Sequence, residues 1–279
     1  MKTFFYSFMA IIMAVILNSS SLKSSENLKT CILQADKDAT ISLLKQSANI
    51  ISNRLKVYGL AICDISIQEN KGQIKVQLPG NTDLSEIEGL LISKGNLAFY
   101  EMLTLKEMPD FRQSDPNLDT HDGKIGCSAN EDHNMEIDIE NYLKSHNLLS
   151  SCKLSWGVKT YKSLACLYIL KTNKDGNPLL TRSDIESIKS IQEKDSKEFV
   201  LQIKFVPPAV KIWADATRNN MNKPIAIVLN DKVYETPVVK TIMEGGLCEI
   251  TGNMNQKEVN YFLALVNNDN LPISLSIIK

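Results

Sequence analysis

The sequence predicts an α+β fold, and three patterns predict it. Apolar residues recur at three- and four-residue steps between 39 and 58, as on the buried stripe of a helix. Between 73 and 78 they alternate instead: Ile74, Val76 and Leu78 stand against Lys75 and Gln77, as on a strand with one wet face. Both patterns return beyond residue 163, separated by Gly, Pro and Asn turn residues.

The chain has 279 residues and opens on Lys2, an apolar run from Phe4 to Leu17 and a polar stretch from Asn18 to Ser21. That run is shorter than the ~20 residues a helix needs to cross hydrocarbon, so residues 1–25 are expected to be a signal peptide or, failing cleavage, an N-terminal anchor. No comparable apolar run follows, and the first cysteine, Cys31, lies too far behind this one for lipidation. The six cysteines (Cys31, Cys63, Cys127, Cys152, Cys166 and Cys248) are all placed for an oxidising compartment. Cys127 is expected to pair with Cys152 or Cys166, which share its loop-rich segment; Cys31 and Cys63 suit buried strand positions.

Leu28 to Gln34 reads as a strand, and Asp36 or Asp38 as the cap of a helix from about Ala39 to Tyr58, stopped by Gly59. Residues 62–68 and 73–78 form a hairpin around Asn70-Lys71-Gly72, broken by Pro79-Gly80. Asn81 or Asp83 caps a helix from about Leu84 to Ser93, and Asn96 to Met102 is a further strand. The order strand, helix, strand, strand, helix, strand predicts a ferredoxin-like split βαβ unit with both helices on one sheet face.

From Thr104 to Ser150 ten acidic residues stand against four basic ones, with Pro109, Pro116, Gly123 and Gly126 among them. This composition predicts a solvated insertion with one helix near Ile137 to His146. The second half restarts with strand 163–171 and a helix over 184–191 behind Ser183. Strand 198–205, a helix from Ala209 to Met221 after Pro207-Pro208, and strands 224–229 and 232–236 around Asn230-Asp231 follow. Strand 247–251, a helix 256–268 capped by Asn255 and strand 273–278 close the chain.

Chemistry is sparse. The net charge of -1 and a pI near 6.3 give no basic surface for nucleic acid. His121, Asp122, Cys127, Asp132 and His133 fit no zinc spacing, so no metal and no cofactor is expected. No nucleophile elbow or phosphate loop is present. The pairs Asp231/Glu235 and Glu244/Glu249 read as exposed strand and turn residues, and the chain is not expected to be an enzyme.

Several segments in order resemble one family. NIISNRLKVYGL (49–60) is similar to a helix carrying an Arg before an aromatic-Gly turn in the SecD family. KVQLPGNTD (75–83) resembles that family's strand ending in Leu-Pro-Gly before a helix, and NLAFYEM (96–102) the strand that closes its first base subdomain. The block 223–254, KPIAIVLNDKVYETPVVKTIMEGGLCEITGNM, with LPISLSII (271–278), resembles its head subdomain. LLTRSDIESI (179–188) and FVPPAVKIWADAT (205–217) match more loosely. The resemblance implies the family's first periplasmic domain: a ferredoxin-like base over 28–103, the acidic insertion over 104–160, an α+β head over 161–268, and a closing strand over 269–279 returning to the base. The family's transmembrane helices and the Gly-rich stretch with an Arg before the base have no counterpart here, so proton-coupled translocation is not carried over.

At matching positions, Gly59, Gly80, Gly245, Gly246, Gly252 and Pro237 are expected to be turn or edge residues rather than chemical ones. The resemblance implies a periplasmic protein, or one on the outer face of the inner membrane, that binds unfolded or exported polypeptide, with the Sec translocon as a further partner. Membrane contact is expected only through an uncleaved N-terminus. The alternative is a folded partner bound through the acidic insertion, with no role in translocation.

Overall fold

A computed structural model describes residues 28–60, 64–111, 121–158, 164–192, 199–252 and 254–278. The N-terminal run and Cys63 lie outside them. The elements run β1 (Leu28–Ala35), α1 (Ile41–Tyr58), β2 (Asp64–Gln68), β3 (Gln73–Pro79), α2 (Leu84–Ile92), β4 (Leu97–Leu103), β5 (Gly126–Ser128), α3 (His133–Ser145), β6 (Cys152–Trp156) and β7 (Ala165–Lys171). They continue β8 (Leu180–Thr181), β9 (Ile185–Gln192), β10 (Phe199–Phe205), α4 (Pro207–Asn219), β11 (Ile225–Leu229), β12 (Lys232–Glu235), β13 (Leu247–Gly252), α5 (Gln256–Val266) and β14 (Leu275–Ile278). The fold is α+β.

The first sheet is antiparallel in the order β14-β1-β3-β2. The ferredoxin-like reading put β4 in this sheet; the place beside β1 belongs instead to β14. α1 and α5 pack together over this sheet, and α2 packs on both. β4 instead joins β11 and β7. The reason is burial on two sides. Leu97 and Phe99 face the large core and Tyr100 and Met102 a second apolar cluster, whereas an outer position on the first sheet would leave one of these sets wet.

Local signals set most helix ends. Thr40, not Asp36 or Asp38, caps α1, its Oγ1 accepting from Leu43 N at 3.3 Å. Asp83 caps α2 and Asn255 closes a capping box with Glu258 on α5. The helix expected over 184–191 is the strand β9. Ile185 and Ile188 stand three apart because a bulge at Glu186 shifts the register, so both face inward beside Phe205 and Ile203. Thr181 and Asp184 do form a capping box, but it holds a single turn.

The acidic stretch carries more regular structure than its composition suggests. Asp132 caps α3, whose Ile139 and Leu143 pack with Met108, Ile125, Trp156, Leu167 and Ile169 in a core of their own. β12, β11, β4, β7 and β6 follow one another in a sheet that curls until its ends meet, where Gly157 bridges Val233 and Ser155 Oγ donates to Asp231 O at 3.0 Å. Two tethers hold this sheet to the chain around it. A disulfide joins Cys127 on β5 to Cys166 directly opposite on β7. Glu107 accepts from Thr104 N at 3.0 Å and from Lys171 and Lys223 Nζ at 3.0 and 3.2 Å.

The tightest polar assembly lies beneath α1. Arg54 is fully buried and donates to the carbonyls of Ser93 (2.6 Å), Lys94 (2.8 Å) and Asp269 (3.4 Å). It thereby joins the C-terminal end of α2 to the loop that leads into β14. Burial lowers its pKa to about 10.

Three outcomes are expected. Arg54→Met strands these carbonyls and lowers unfolding free energy by roughly 2–3 kcal/mol in urea titrations. Burial pushes the Glu107 carboxyl up, but the Thr104 N–H and the two lysines outweigh it and hold the group at about 2, against an ordinary 4.5. A depressed folded pKa gives stability that is complete above 4.5 and lost as pH falls towards 2. With a side chain 27% exposed, the screened contribution is on the order of 1–2 kcal/mol, and Glu107→Gln flattens the loss of stability on going from neutral pH to about pH 3. Replacing Cys127 and Cys166 by Ala opens a loop with a sequence separation of 39 and costs about 4 kcal/mol, read as a lowered melting temperature.

Candidate functional site

α4 starts on Pro207-Pro208, where the missing N–H groups cost nothing, and turns Ala209, Trp213, Ala216 and Thr217 inward. The small neighbours let the Trp213 ring lie down on the core. It meets Phe99 of β4 edge-on at 5.5 Å and Phe205 of β10 at 5.0 Å between ring centres. Its indole Nε1 donates to the Met243 sulfur at 3.3 Å.

After β12 the chain runs back along the start of β11: Ile225 N donates to Pro237 O at 3.1 Å and Val239 N to Lys223 O at 3.0 Å. Pro237 lies on that flanking segment, where its carbonyl is used and its lack of an N–H is harmless. Met243 N donates to Thr217 Oγ1 at 3.1 Å, and Arg218 of α4 pairs with Glu244 at 3.0 Å. Gly246 then reverses the chain into β13 with φ 69°, and a Cβ there would sit 2.6 Å from Val210 Cγ2.

Between segment 237–243 and β13 lies a groove of about 690 Å³ floored by Phe99, Trp213, Ile225 and Ile227. Four consecutive residues of β13, Leu247 to Ile250, line it. Successive strand side chains point to opposite faces, so a space touched by four in a row runs along the strand's edge. Among the described residues β13 pairs only with β10, which leaves that edge open to the groove. Leu247 (43% exposed) lines the groove, and Ile242 (39%) stands next to its lining residues Thr241 and Met243. Lys240 and Glu249 are its charged lining residues, and Glu249 accepts from Gln202 at 3.0 Å.

The arrangement offers main-chain hydrogen-bonding groups beside an apolar trough. It offers little for bond chemistry: burial pushes the Cys248 thiol up to about 12. Among the described residues no group of three or more His, Cys, Asp or Glu is placed to hold a metal. His133 instead faces Glu136 at 3.1 Å, and His146 stacks on Tyr142. Glu244 and Glu249 are exposed, whereas Glu235 is half-buried and its carboxyl is pushed up by burial and by Glu258.

Of the residues singled out in the sequence, Gly245, Gly246 and Pro237 surround or adjoin the groove. Gly252 lies at the end of β13 opposite Phe199. Gly59 caps α1 with φ 108°, and Gly80 follows β3. Both lie in the first-sheet unit. Cys127 and Cys166 form the disulfide, and Cys152 is a free, half-buried thiol. Phe99, Trp213 and Met243 escaped sequence reasoning. The available signal was Trp213, one of two tryptophans, on a helix face otherwise filled by alanines and Thr217.

Residues 165–273 match the family model for the SecDF P1 head subdomain. Over 247 residues the chain is 26% identical to the protein translocase subunit SecDF of Thermus thermophilus, covering 88% of this chain and 29% of that protein. Over 271 residues it is 26% identical to the protein translocase subunit SecD of Calditerrivibrio nitroreducens, covering 95% and 46%. The crystal structure of SecDF in its super-membrane-facing form aligns with a TM-score of 0.49 at 23% identity, covering 90% of this chain and 29% of that one. The chain thus spans less than half the length of these curated relatives. Among the described residues no helix is long and apolar enough to cross a membrane. Every groove-lining residue but Phe99 falls within residues 165–273, where the chain is similar to the SecDF P1 head subdomain.

Proposed function

We propose that this protein acts outside the cytoplasm in protein translocation, as a non-enzymatic module that holds extended, unfolded polypeptide. The observation that carries this reading is the open edge of β13 beside an apolar groove. An extended chain laid there gains main-chain hydrogen bonds from the strand and places alternate side chains against Phe99, Trp213 and Ile227. Main-chain recognition with an apolar trough tolerates many sequences, as a carrier of exported chains requires. The translocase subunits among its relatives make the Sec translocon the expected partner assembly.

The compartment follows from two features. The Cys127–Cys166 disulfide belongs in an oxidising environment, and the apolar run over 4–17 suits an export signal. We place the protein in the periplasm or on the outer face of the inner membrane. The groove lacks a nucleophile–base pair, which supports a binding role over a catalytic one.

The test is a titration followed by indole fluorescence, with an unstructured peptide of alternating Val and Lys and with its backbone N-methylated twin. The plain peptide is expected to bind with a dissociation constant on the order of tens of micromolar. N-methylation, which removes the strand-pairing donors, is expected to abolish binding. No affinity for the plain peptide, or equal affinity for both, sinks the reading. Retention of a folded envelope partner by a variant with Trp213→Ala would point to the acidic stretch instead.

A further inference from the structure

We propose that Met243 is a methionine-oxidation site that controls occupancy of the groove; the control, though not the modification, rests on the function proposed above. Three observations converge on it. Met243 lines the groove and is only partly buried, so its thioether borders a space that small solutes enter. Met102 and Met108 are each 1% exposed and Met254 is 5% exposed, enclosed in the cores. And the Trp213 indole N–H already points at the Met243 sulfur from 3.3 Å, in place to donate a hydrogen bond to the oxygen that oxidation adds.

The step is a two-electron transfer to a hydroperoxide, with hydrogen peroxide as the oxidant. A sulfur lone pair attacks one peroxide oxygen, the S–O bond forms as the O–O bond breaks, and the second oxygen takes up the proton that the transferred oxygen loses and leaves as water. The product is methionine sulfoxide, which a thiol-dependent sulfoxide reductase returns to the thioether. A thioether is a weak acceptor and packs as an apolar group; a sulfoxide is strongly polar. On the groove wall that change opposes burial against an apolar peptide side chain, because a polar group desolvated without full hydrogen bonding is costly. The Trp213 bond offsets part of this in the empty groove, so the modified state favours emptiness.

The experiment treats the full chain with hydrogen peroxide and follows each methionine by peptide mass mapping. Met221, 37% exposed, serves as the accessible reference and Met102 and Met108 as enclosed ones. Met243 is expected to gain oxygen on the time scale of Met221 and ahead of Met102 and Met108, with a change in indole fluorescence that Met243→Leu removes. Affinity for the unstructured peptide is expected to fall about tenfold on oxidation in the parent chain and not in Met243→Leu. A Met243 that remains a thioether when Met221 is fully converted overturns the site. Oxidation of Met243 with unchanged affinity overturns the control. Oxidation at Met243 in a chain that never bound peptide leaves the modification standing and overturns the groove's function alone.

Discussion

A buried guanidinium, with no carboxylate partner among the described residues, sets the geometry of this fold. Arg54 is compensated by carbonyl oxygens at the end of α2, where a helix concentrates negative potential, and by Asp269 O ahead of β14. Its neighbours extend the assembly. Asn230 in the β11–β12 turn accepts from Gly95 N at 2.6 Å, Asn270 donates to Asn96 at 2.6 Å, and Leu271 N donates to Lys94 O. Four stretches distant in sequence meet at one charge. Losing the charge leaves several oriented carbonyls without donors at once, so the assembly forms as a unit.

That meeting point decides the topology. Held beside residues 93–96, the loop after α5 delivers β14 to β1, and the first sheet is completed by the end of the chain. α5 then lies with α1 and α2 on one side and β9 and β10 on the other, and the two sheets share one apolar core. β4, freed from the first sheet, becomes a strand of the curled sheet with one face on that core, and carries Phe99 to the groove floor.

The treatment of sheet edges is uneven. β5, three residues long, is fastened by the Cys127–Cys166 disulfide; β6 and β12 close on each other; a bulge twists β9 at Glu186. Among the described strands, the β13 edge combines an open ladder with an adjoining apolar trough. An edge so placed can accept a further strand, and Leu247, 43% exposed, adds apolar surface beside it.

The sequence alone determined what short-range physics decides. The apolar stripe made α1, the alternation of Ile74, Val76 and Leu78 made β3, Pro207-Pro208 started α4, and Asn230-Asp231 supplied a turn with both φ angles positive, 52° and 62°. Family resemblance added the order of these parts. Tertiary structure decided the partners. Which strand lies beside β1, and whether the residues after Ser183 form helix or strand, depends on faces contributed from far along the chain: Ile185 and Ile188 look helical until a bulge aligns them with Phe205 and Ile203. The groove was hidden for the same reason. Phe99, Trp213, Ile227 and Ile250 come from four separate elements, and no local pattern records that their apolar faces converge, because strand pairing is chosen by burial across the whole fold.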